Sequence, residues 1–227
     1  MWQTIRSLTL GRHSHDEAYA ALVLRGGYEE AGDQGRLRVE AGDVVLHDCF
    51  EAHLDRFSQS GAVVLNLRLP ARSWFAPGVA RVADMDVLVR AAEASEAGAA
   101  DLLLSTVQAR TSPCADWPDE LASALIQCPS LRLSLWAHEK GLAAWTLSRG
   151  FARVFGVSPE AFRARTRARH AWKAIRMTAE PLARIAAQVG FADQSHMTRS
   201  VKQMTGAAPQ AWREAANRFK TEAAGSF

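Results

Sequence analysis

The segment Pro181–Met204 constrains the fold more strongly than any other part of this chain, because its pattern indicates two helices joined by a tight turn. In its first half, an apolar residue stands at each of the i, i+3, i+4 and i+7 positions that share one helical face, namely Leu182, Ile185, Ala186 and Val189. We expect Pro181 at the first helical position, where its missing N–H removes no helical hydrogen bond.

Gly190 and Asp193 mark the turn and the start of the second helix. Glycine ends the first helix, since it adopts a positive φ without steric strain. Asp193 is a candidate N-cap that accepts hydrogen bonds from the first amides of the second helix. That helix has Met197 and Val201 on its inner face and five polar side chains on its outer face: Gln194, Ser195, His196, Arg199 and Lys202. Such polar groups on an exposed second helix are suited to base edges in the major groove of DNA.

Charge is distributed unevenly along the 227 residues, whose formal net charge is +3. Residues 1–127 contain 11 Lys and Arg against 18 Asp and Glu, a net charge of −7, and residues 128–227 contain 16 against 6, a net charge of +10. This division predicts two domains, of which the second faces a polyanion such as double-stranded DNA. A solvated basic surface is the alternative explanation of the charge alone.

Other classes of protein receive less support from the sequence. No apolar run reaches the roughly 18 residues that span a bilayer, and the first residues lack a signal-peptide pattern. The three cysteines, Cys49, Cys114 and Cys128, form no CxxC motif and fit a reduced cytoplasmic protein. We recognise no catalytic triad, phosphate loop or spaced carboxylate pair, and we therefore expect neither an enzyme nor a membrane partner.

Residues 1–75 are expected to form a β-sandwich or small barrel. The apolar run Ala18–Leu24 ends at a glycine pair, and Arg36–Glu40 alternates between polar and apolar residues, as does Val63–Leu69 in large part. Short strands divided by glycine and acidic turns are typical of such folds.

Residues 76–129 are expected to form helices, since helical spacing recurs in three segments: Val79–Ala94, Ala100–Ala109 and Asp119–Cys128. The segment Thr111–Pro118 has the composition of a loop. These helices can close the β domain, form a homodimer, or do both. With an all-α DNA-binding domain over residues 130–224, the predicted fold class is α+β.

Four polar side chains of the β domain are candidate ligand-binding residues: His13, His15, Glu17 and His53. A His-x-His pair on a strand directs both imidazoles to one side, and a histidine from a later strand can complete a metal-binding face. His47 and Cys49 are alternative metal ligands. Histidines that are simply hydrogen-bonded are the structural alternative.

The basic C-terminal region contains an internal repeat. The pairs Trp136-Ala137 and Gly141-Leu142 precede Ile185-Ala186 and Gly190-Phe191 by 49 residues, and Leu147–Arg149 and Pro159 precede Met197–Arg199 and Pro209 by 50. Two copies of one supersecondary unit produce this pattern. Two recognition helices held about 34 Å apart by a linker helix would enter successive major grooves of DNA. The expected linker, Pro159–Met177, carries basic residues that would hold phosphates or form solvated surface: Arg163, Arg165, Arg167, Arg169 and Lys173.

These motifs resemble a known family. The segments LSRGFARVFGVSPEAF (147–162) and GFADQSHMTRSVKQMTGAAPQAWR (190–213) resemble the AraC/XylS transcription regulators, over about residues 131–214. The segment GDVVLHDCFEAH (42–53), with the His-x-His pair before it, resembles a degenerate cupin like the sensory domain of many members. The resemblance implies base contacts from two recognition helices, by Trp145, Ser148 and Arg149 in the first and by Gln194, Ser195, His196 and Arg199 in the second. Lys202 would add a phosphate contact.

The cupin motifs depart from the family pattern. Asp48 and Phe50 replace the proline and glycine of the second motif, and Glu17 comes too early after the histidine pair. We therefore expect a pocket with polar walls and no cofactor. A divalent metal on the three histidines is the alternative.

The first recognition helix also departs from the pattern. Ala143 replaces the usual capping serine, at a cost of about 1 kcal/mol, and Gly150 inside the helix costs about as much again. The first recognition helix is therefore expected to be the less stable one. Met197 and Val201 replace the usual phenylalanines of the second unit, which is compatible with core packing.

The motifs and the charge distribution together favour a sequence-specific DNA-binding regulator with a small-molecule-sensing β domain. Two alternatives stay open. One is a cupin metalloenzyme with a helical appendage, and the other is a regulator whose β domain only dimerises.

Overall fold

The computed structural model describes residues 2–70, 78–110 and 116–224. Cys114 and most of the expected loop Thr111–Pro118 lie outside these ranges. Contacts divide the chain into two units, the first comprising Met1–Glu120 with Gly150–Gly156 and the second comprising Leu121–Arg149 with Val157–Phe227. A mainly antiparallel β region followed by helices confirms the predicted α+β class.

The first unit contains, in its described residues, one antiparallel sheet of eight strands: β1 (Trp2–Ile5), β2 (Thr9–Ser14), β3 (Tyr19–Gly32), β4 (Gly35–Glu40), β5 (Asp43–His47), β6 (Ala52–Arg68), β7 (Gly78–Arg81) and β8 (Gln108–Ala109). Their order is β1-β6-β3-β5-β7-β8, with β2 also paired to β6 and β4 to β3. The two long strands β3 and β6 therefore lie at the centre, and every pairing is antiparallel.

Strands β3 and β6 pair along nearly their whole length and bend together near two glycines. The register shifts on β3 between Val23 and Tyr28, around Gly26. Gly26 and Gly61 have φ of 74° and 69°. A Cβ on Gly26 would lie 2.0 Å from the Gly61 carbonyl oxygen, and a Cβ on Gly61 would lie 2.2 Å from that of Ile5. Only glycine fits this close approach of backbones, so these two positions allow the bend.

Helices α1 (Met85–Ala94) and α2 (Glu96–Thr106) cover one face of the sheet. Asp84 caps α1 through a bond from the Val87 amide, and Ser95 caps α2 through a bond from Gly98. The buried side chains Leu88 and Leu103 join a core with residues of β3, β5 and β6. These helices thus close the β domain, one of the roles expected of residues 76–129.

The helix expected over Val79–Ala94 is wrong in its first part, where Gly78–Arg81 forms β7 on β5. Val79 and Ala80 are both buried, in clusters on opposite faces of the sheet. A short apolar run that is buried on both sides has no strand-like alternation, and its periodicity does not distinguish it from a helix.

The remaining helices are α3 (Trp117–Gln127), α4 (Leu133–Glu139), α5 (Ala144–Phe155), α6 (Pro159–Met177), α7 (Leu182–Gln188), α8 (Gln194–Thr205) and α9 (Pro209–Ala224). Helix α6 has the bounds expected from the sequence, with Pro159 in its first turn and Ser158 as N-cap. It packs against α7, α8 and α9 around the fully buried Trp172. None of the helices in the described ranges combines the length and apolar character that crossing a bilayer requires.

Gly150 has a packing role that the sequence pattern does not reveal. It lies in the part of α5 that belongs to the first unit, against the indole of Trp117. A Cβ at position 150 would lie 2.3 Å from Trp117 Cζ2. The glycine therefore makes room for the indole, which offsets its low helix propensity.

We predict that Gly150→Ala lowers the free energy of unfolding. Helix propensity alone favours alanine by about 1 kcal/mol, but overpacking against Trp117 costs about 1–3 kcal/mol. Gly98→Ala in α2 is the matched control, because its Cβ would meet Ser95 at an ordinary 3.5 Å. Urea unfolding of both variants measures the difference. Equal stabilisation by the two alanines would contradict this account of Gly150.

Candidate nucleic-acid interface and histidine cavity

Helices α7 and α8 form the predicted helix-turn-helix. Gly190 has a φ of 81°, and the Phe191 amide donates to the Ala186 carbonyl at 2.9 Å, which closes the end of α7. The Asp193 carboxylate accepts a 2.7 Å hydrogen bond from the His196 amide and so caps α8 as expected. Pro181 is the N-cap of α7 and not its first helical residue, because its ψ of 139° is extended and only its carbonyl joins the helix.

The inner and outer faces of this unit are clearly separated. Ile185, Ala186, Met197 and Val201 are at most 1 % exposed. The predicted DNA-contacting side chains of α8 are all exposed: Gln194, Ser195, His196, Arg199 and Lys202. The edge of the His196 ring packs against Phe191, with ring centroids 5.1 Å apart. Helix α8 therefore presents amide, hydroxyl, imidazole and guanidinium groups to solvent on a rigid support.

Helices α4 and α5 repeat the same local geometry. Gly141 has a φ of 65°, and the Leu142 amide donates to the Ala137 carbonyl at 2.8 Å, as Phe191 does to Ala186 in the second copy. Trp136 and Ala137 are buried, like their counterparts in α7. On α5, the three predicted side chains are exposed, namely Trp145, Ser148 and Arg149. The indole of Trp145, near the start of α5, is 67 % exposed.

Two arginines of α6 contact protein backbone and a third is buried, so these three are not simply solvated surface. Arg163 donates to the Leu131 carbonyl at 3.2 Å, and Arg169 is only 4 % exposed. Arg167 donates to the Gly190 carbonyl at 3.1 Å, with its guanidinium 5.5 Å from the centre of the Phe191 ring. The turn between α7 and α8 is thus held by the linker helix.

A family model described as a helix-turn-helix domain matches residues 136–215, which contain both copies of this unit. This region is an AraC-type helix-turn-helix domain. The chain accordingly contains a helix-turn-helix domain, a kind of domain that binds DNA. No curated protein sequence matches it.

Three solved structures illustrate what this chain is similar to. A probable AraC family transcriptional regulator from Rhodopseudomonas palustris CGA009 is 22% identical, with 42% of this chain and 93% of that chain covered and a TM-score of 0.40. The DNA-binding domain of AdpA in complex with a target DNA is 19% identical, with 47% and 98% covered and a TM-score of 0.43. Unsaturated fatty acid bound ToxT from Vibrio cholerae strain SCE256 is 13% identical, with 92% of each chain covered and a TM-score of 0.44.

The first unit contains a cavity of about 210 Å³ on the face of the sheet opposite α1 and α2. Its polar lining comes mainly from β2, β3, β5 and β6: His13, His15, Tyr19, Tyr28, Glu30, His47, His53, Asp55 and Asn66. Apolar side chains such as Phe57 and Val64 complete the wall. The cavity therefore offers hydrogen-bonding and ligating groups that converge beside apolar side chains, as small-molecule sites do.

The structure brings three of the four predicted ligand-binding residues together at this cavity. The His53 ring centroid lies 4.4 Å from that of His13 and 5.6 Å from that of His15. Glu17 is not with them, because its exposed carboxylate pairs with Arg68 at 3.1 Å. His47 lines the same cavity, whereas Cys49 is packed against the core of the other face.

Sequence reasoning missed the buried carboxyls of the cavity, Glu30 and Asp55. Burial raises the pKa of Asp55 to about 6 and raises the pKa of Glu30 well above its usual range, with a further rise from Asp55. Burial also lowers the pKa of His53 to about 2, and neighbouring histidines contribute to this shift. Burial in this cavity thus disfavours the charged form of groups that could ligate a cation.

The alternation of β6 could have revealed Asp55 and Phe57, which follow His53 at i+2 and i+4 on one face. Strand alternation does not place Glu30 in the cavity. Cavity residues on β3 are odd-numbered before the bend, as Tyr19 is, and even-numbered after it, as Tyr28 and Glu30 are. The bulge near Gly26 changes which residues face the cavity.

We predict opposite effects for two N-cap substitutions. Asp193→Ala removes the bond to the His196 amide and lowers the free energy of unfolding by about 1 kcal/mol, whereas Ala143→Ser supplies a missing cap to α5 and raises it by about 1 kcal/mol. Urea unfolding of the full chain measures both. A loss of stability in the Ala143→Ser variant would show that position 143 does not act as an N-cap.

Proposed function

We propose that this chain is a transcriptional regulator of the AraC type that reads specific DNA through α5 and α8 and responds to a small ligand held in the cavity of its first unit. The DNA-binding part of this proposal rests on the repeated helix-turn-helix, formed once by α4 and α5 and again by α7 and α8. Both second helices expose the residues expected to contact DNA, within the region matched by the helix-turn-helix family.

Chemistry of the exposed side chains supports readout of bases. Arg149 and Arg199 can each pair bidentately with guanine O6 and N7, and Gln194 can pair with adenine N6 and N7. Such pairs contribute about 1–3 kcal/mol each to discrimination against a wrong base. Lys202, one turn beyond position 199, is placed to bind a phosphate.

The cavity supports a sensory role for the β domain. It lies on a rigid sheet, has convergent polar groups and has room for a small molecule. Arg12 and Arg56, on the two strands that carry His13 and His53, donate to the Phe155 and Val154 carbonyls at 3.1 and 2.9 Å. These carbonyls end α5, whose first half carries the expected base contacts. A ligand that moves β2 or β6 would therefore act on the end of a recognition helix.

The two alternative functions, a cupin metalloenzyme and a regulator whose β domain only dimerises, account for less of the structure. A metalloenzyme with a helical appendage leaves the helix-turn-helix domain at residues 136–215 without a role. A β domain that only dimerises leaves the cavity and its convergent histidines without a role. A homodimer and a cytoplasmic location remain compatible with the proposal.

Lys202→Ala should weaken binding to every DNA sequence by a similar factor and make the slope of log K against log salt less negative by about 1, because one phosphate contact is lost. Fluorescence anisotropy with a selected operator and a scrambled duplex, at several salt concentrations, measures this. An unchanged slope would show that Lys202 makes no phosphate contact.

Arg199→Ala should relax preference at one base pair of the operator, at a cost of about 1–3 kcal/mol for the preferred base only. Selection of binding sites from random duplexes with the wild-type and variant proteins measures the preference, and Lys202→Ala is the control for uniform weakening. The readout assignment is wrong if Arg199→Ala weakens binding to all sequences equally.

A further inference from the structure

We infer that the cavity of the first unit is a binding site for a divalent first-row transition metal, ligated by Glu30, His47 and His53. These are not the four residues that the sequence pattern singled out, and only His53 is common to both sets. The metal site itself stands on geometry alone. Its regulatory consequence rests on the proposed function.

Geometry places one ligand atom from each of the three side chains within 4.8 Å of the other two. His47 Nε2 and Glu30 Oε2 are 3.5 Å apart. In a tetrahedral metal site with bonds of about 2.0–2.2 Å, neighbouring ligand atoms are about 3.3–3.6 Å apart. Small side-chain rotations therefore suffice to close these three groups around one ion.

The donor set also indicates the class of ion. Two imidazoles and one carboxylate suit Fe²⁺, Co²⁺ or Zn²⁺, and a set of three leaves positions open for water or a further ligand. All three side chains are at most 3 % exposed, so the protein has removed them from water. The carboxylate offsets part of the charge of a divalent ion inside this low-dielectric surrounding.

His53 provides a second, independent observation. Its Nδ1 is buried without a hydrogen-bond partner among the described residues. Its Nε2 lies 3.7 Å from Asp55 Oδ2 and 3.4 Å from the Tyr19 hydroxyl. A histidine that ligates a metal through one nitrogen usually directs the other to a carboxylate. A metal would thus satisfy an atom that is otherwise buried at a cost.

His13, His15 and His53 also place ligand atoms within 4.8 Å of one another, as an outer set. The inner set is favoured because it contains the carboxylate and because its three side chains are buried, at most 3 % exposed. His15 is exposed and His13 is half-buried, so both can bond to water without a metal. They line the same cavity and give the ion a path from solvent.

Titration of the chelator-treated, full-length protein with CoCl₂ tests the inference, since the visible d–d absorption of Co²⁺ intensifies when protein ligands replace its six waters in a four- or five-coordinate site. We expect one equivalent to bind. Glu30→Gln, which preserves size, should weaken binding at least about tenfold, and so should His47→Gln. His138→Gln, a change at an exposed histidine of α4, is the control and should leave Co²⁺ binding unchanged. Circular dichroism checks that each variant is folded.

His13→Gln and His15→Gln separate the two sets. If they abolish Co²⁺ binding while Glu30→Gln does not, the assignment to the inner set is overturned. Absence of any Co²⁺ absorption change in the wild-type protein overturns the site altogether. If the buried variants fail to fold, X-ray absorption at the zinc edge of the loaded wild-type protein decides the matter, since two imidazoles with oxygen ligands support the inner set and three imidazoles refute it.

DNA binding measured with and without ZnCl₂ tests the regulatory consequence. We expect the operator affinity to change at least about fivefold, the lower end of typical coupling between sites. Metal binding with no change in DNA affinity overturns the regulatory part. Metal binding by a protein that binds no DNA refutes the proposed function and leaves the metal site standing.

Discussion

Antiparallel pairing of the two long strands β3 and β6 is the constraint on which the first unit depends. It joins the strands that carry Glu30, His53 and Asp55, and every other strand is added, directly or through a neighbour, to this pair. The register of this pair shifts near Gly26, and the two faces of the sheet differ in their side chains. One face is packed with apolar side chains against helices, and the other collects polar groups around a cavity.

The DNA-binding unit depends on a different kind of interaction, the local satisfaction of backbone groups at helix ends. A left-handed glycine, a capping carboxylate and an arginine from the linker helix fix the turn before α8, at Gly190, Asp193 and Arg167 respectively. Each contributes a modest amount of stability. Together they fix the direction of a short helix whose outer face makes little contact with the rest of the protein.

This difference explains how much the sequence could predict. The helix-turn-helix was predictable nearly in full, since its signals lie within a few residues of one another and its repeat supplied a second copy. The convergence of His13, His15 and His53 could also be predicted, because alternate residues of a strand point to the same side. Glu30 was not, because a bulge changes the parity of its strand and that shift depends on how two distant glycines approach each other. Trp117 against Gly150 was hidden for the same reason, as a contact between distant parts of the chain.

The contact between Gly150 and the Trp117 indole limits what can be learned from the C-terminal half of the chain alone. A fragment that begins at residue 130 contains the basic half of the chain but lacks Trp117, whose indole packs against Gly150. It also lacks Arg12 and Arg56, which donate hydrogen bonds to the last carbonyls of α5. The severed fragment would retain an uncapped helix with a glycine at its centre and an empty space beside it. Helix α5, the first of the two proposed recognition helices, would fray in isolation, so a DNA-binding test on the fragment would understate any contribution of α5 to sequence selectivity.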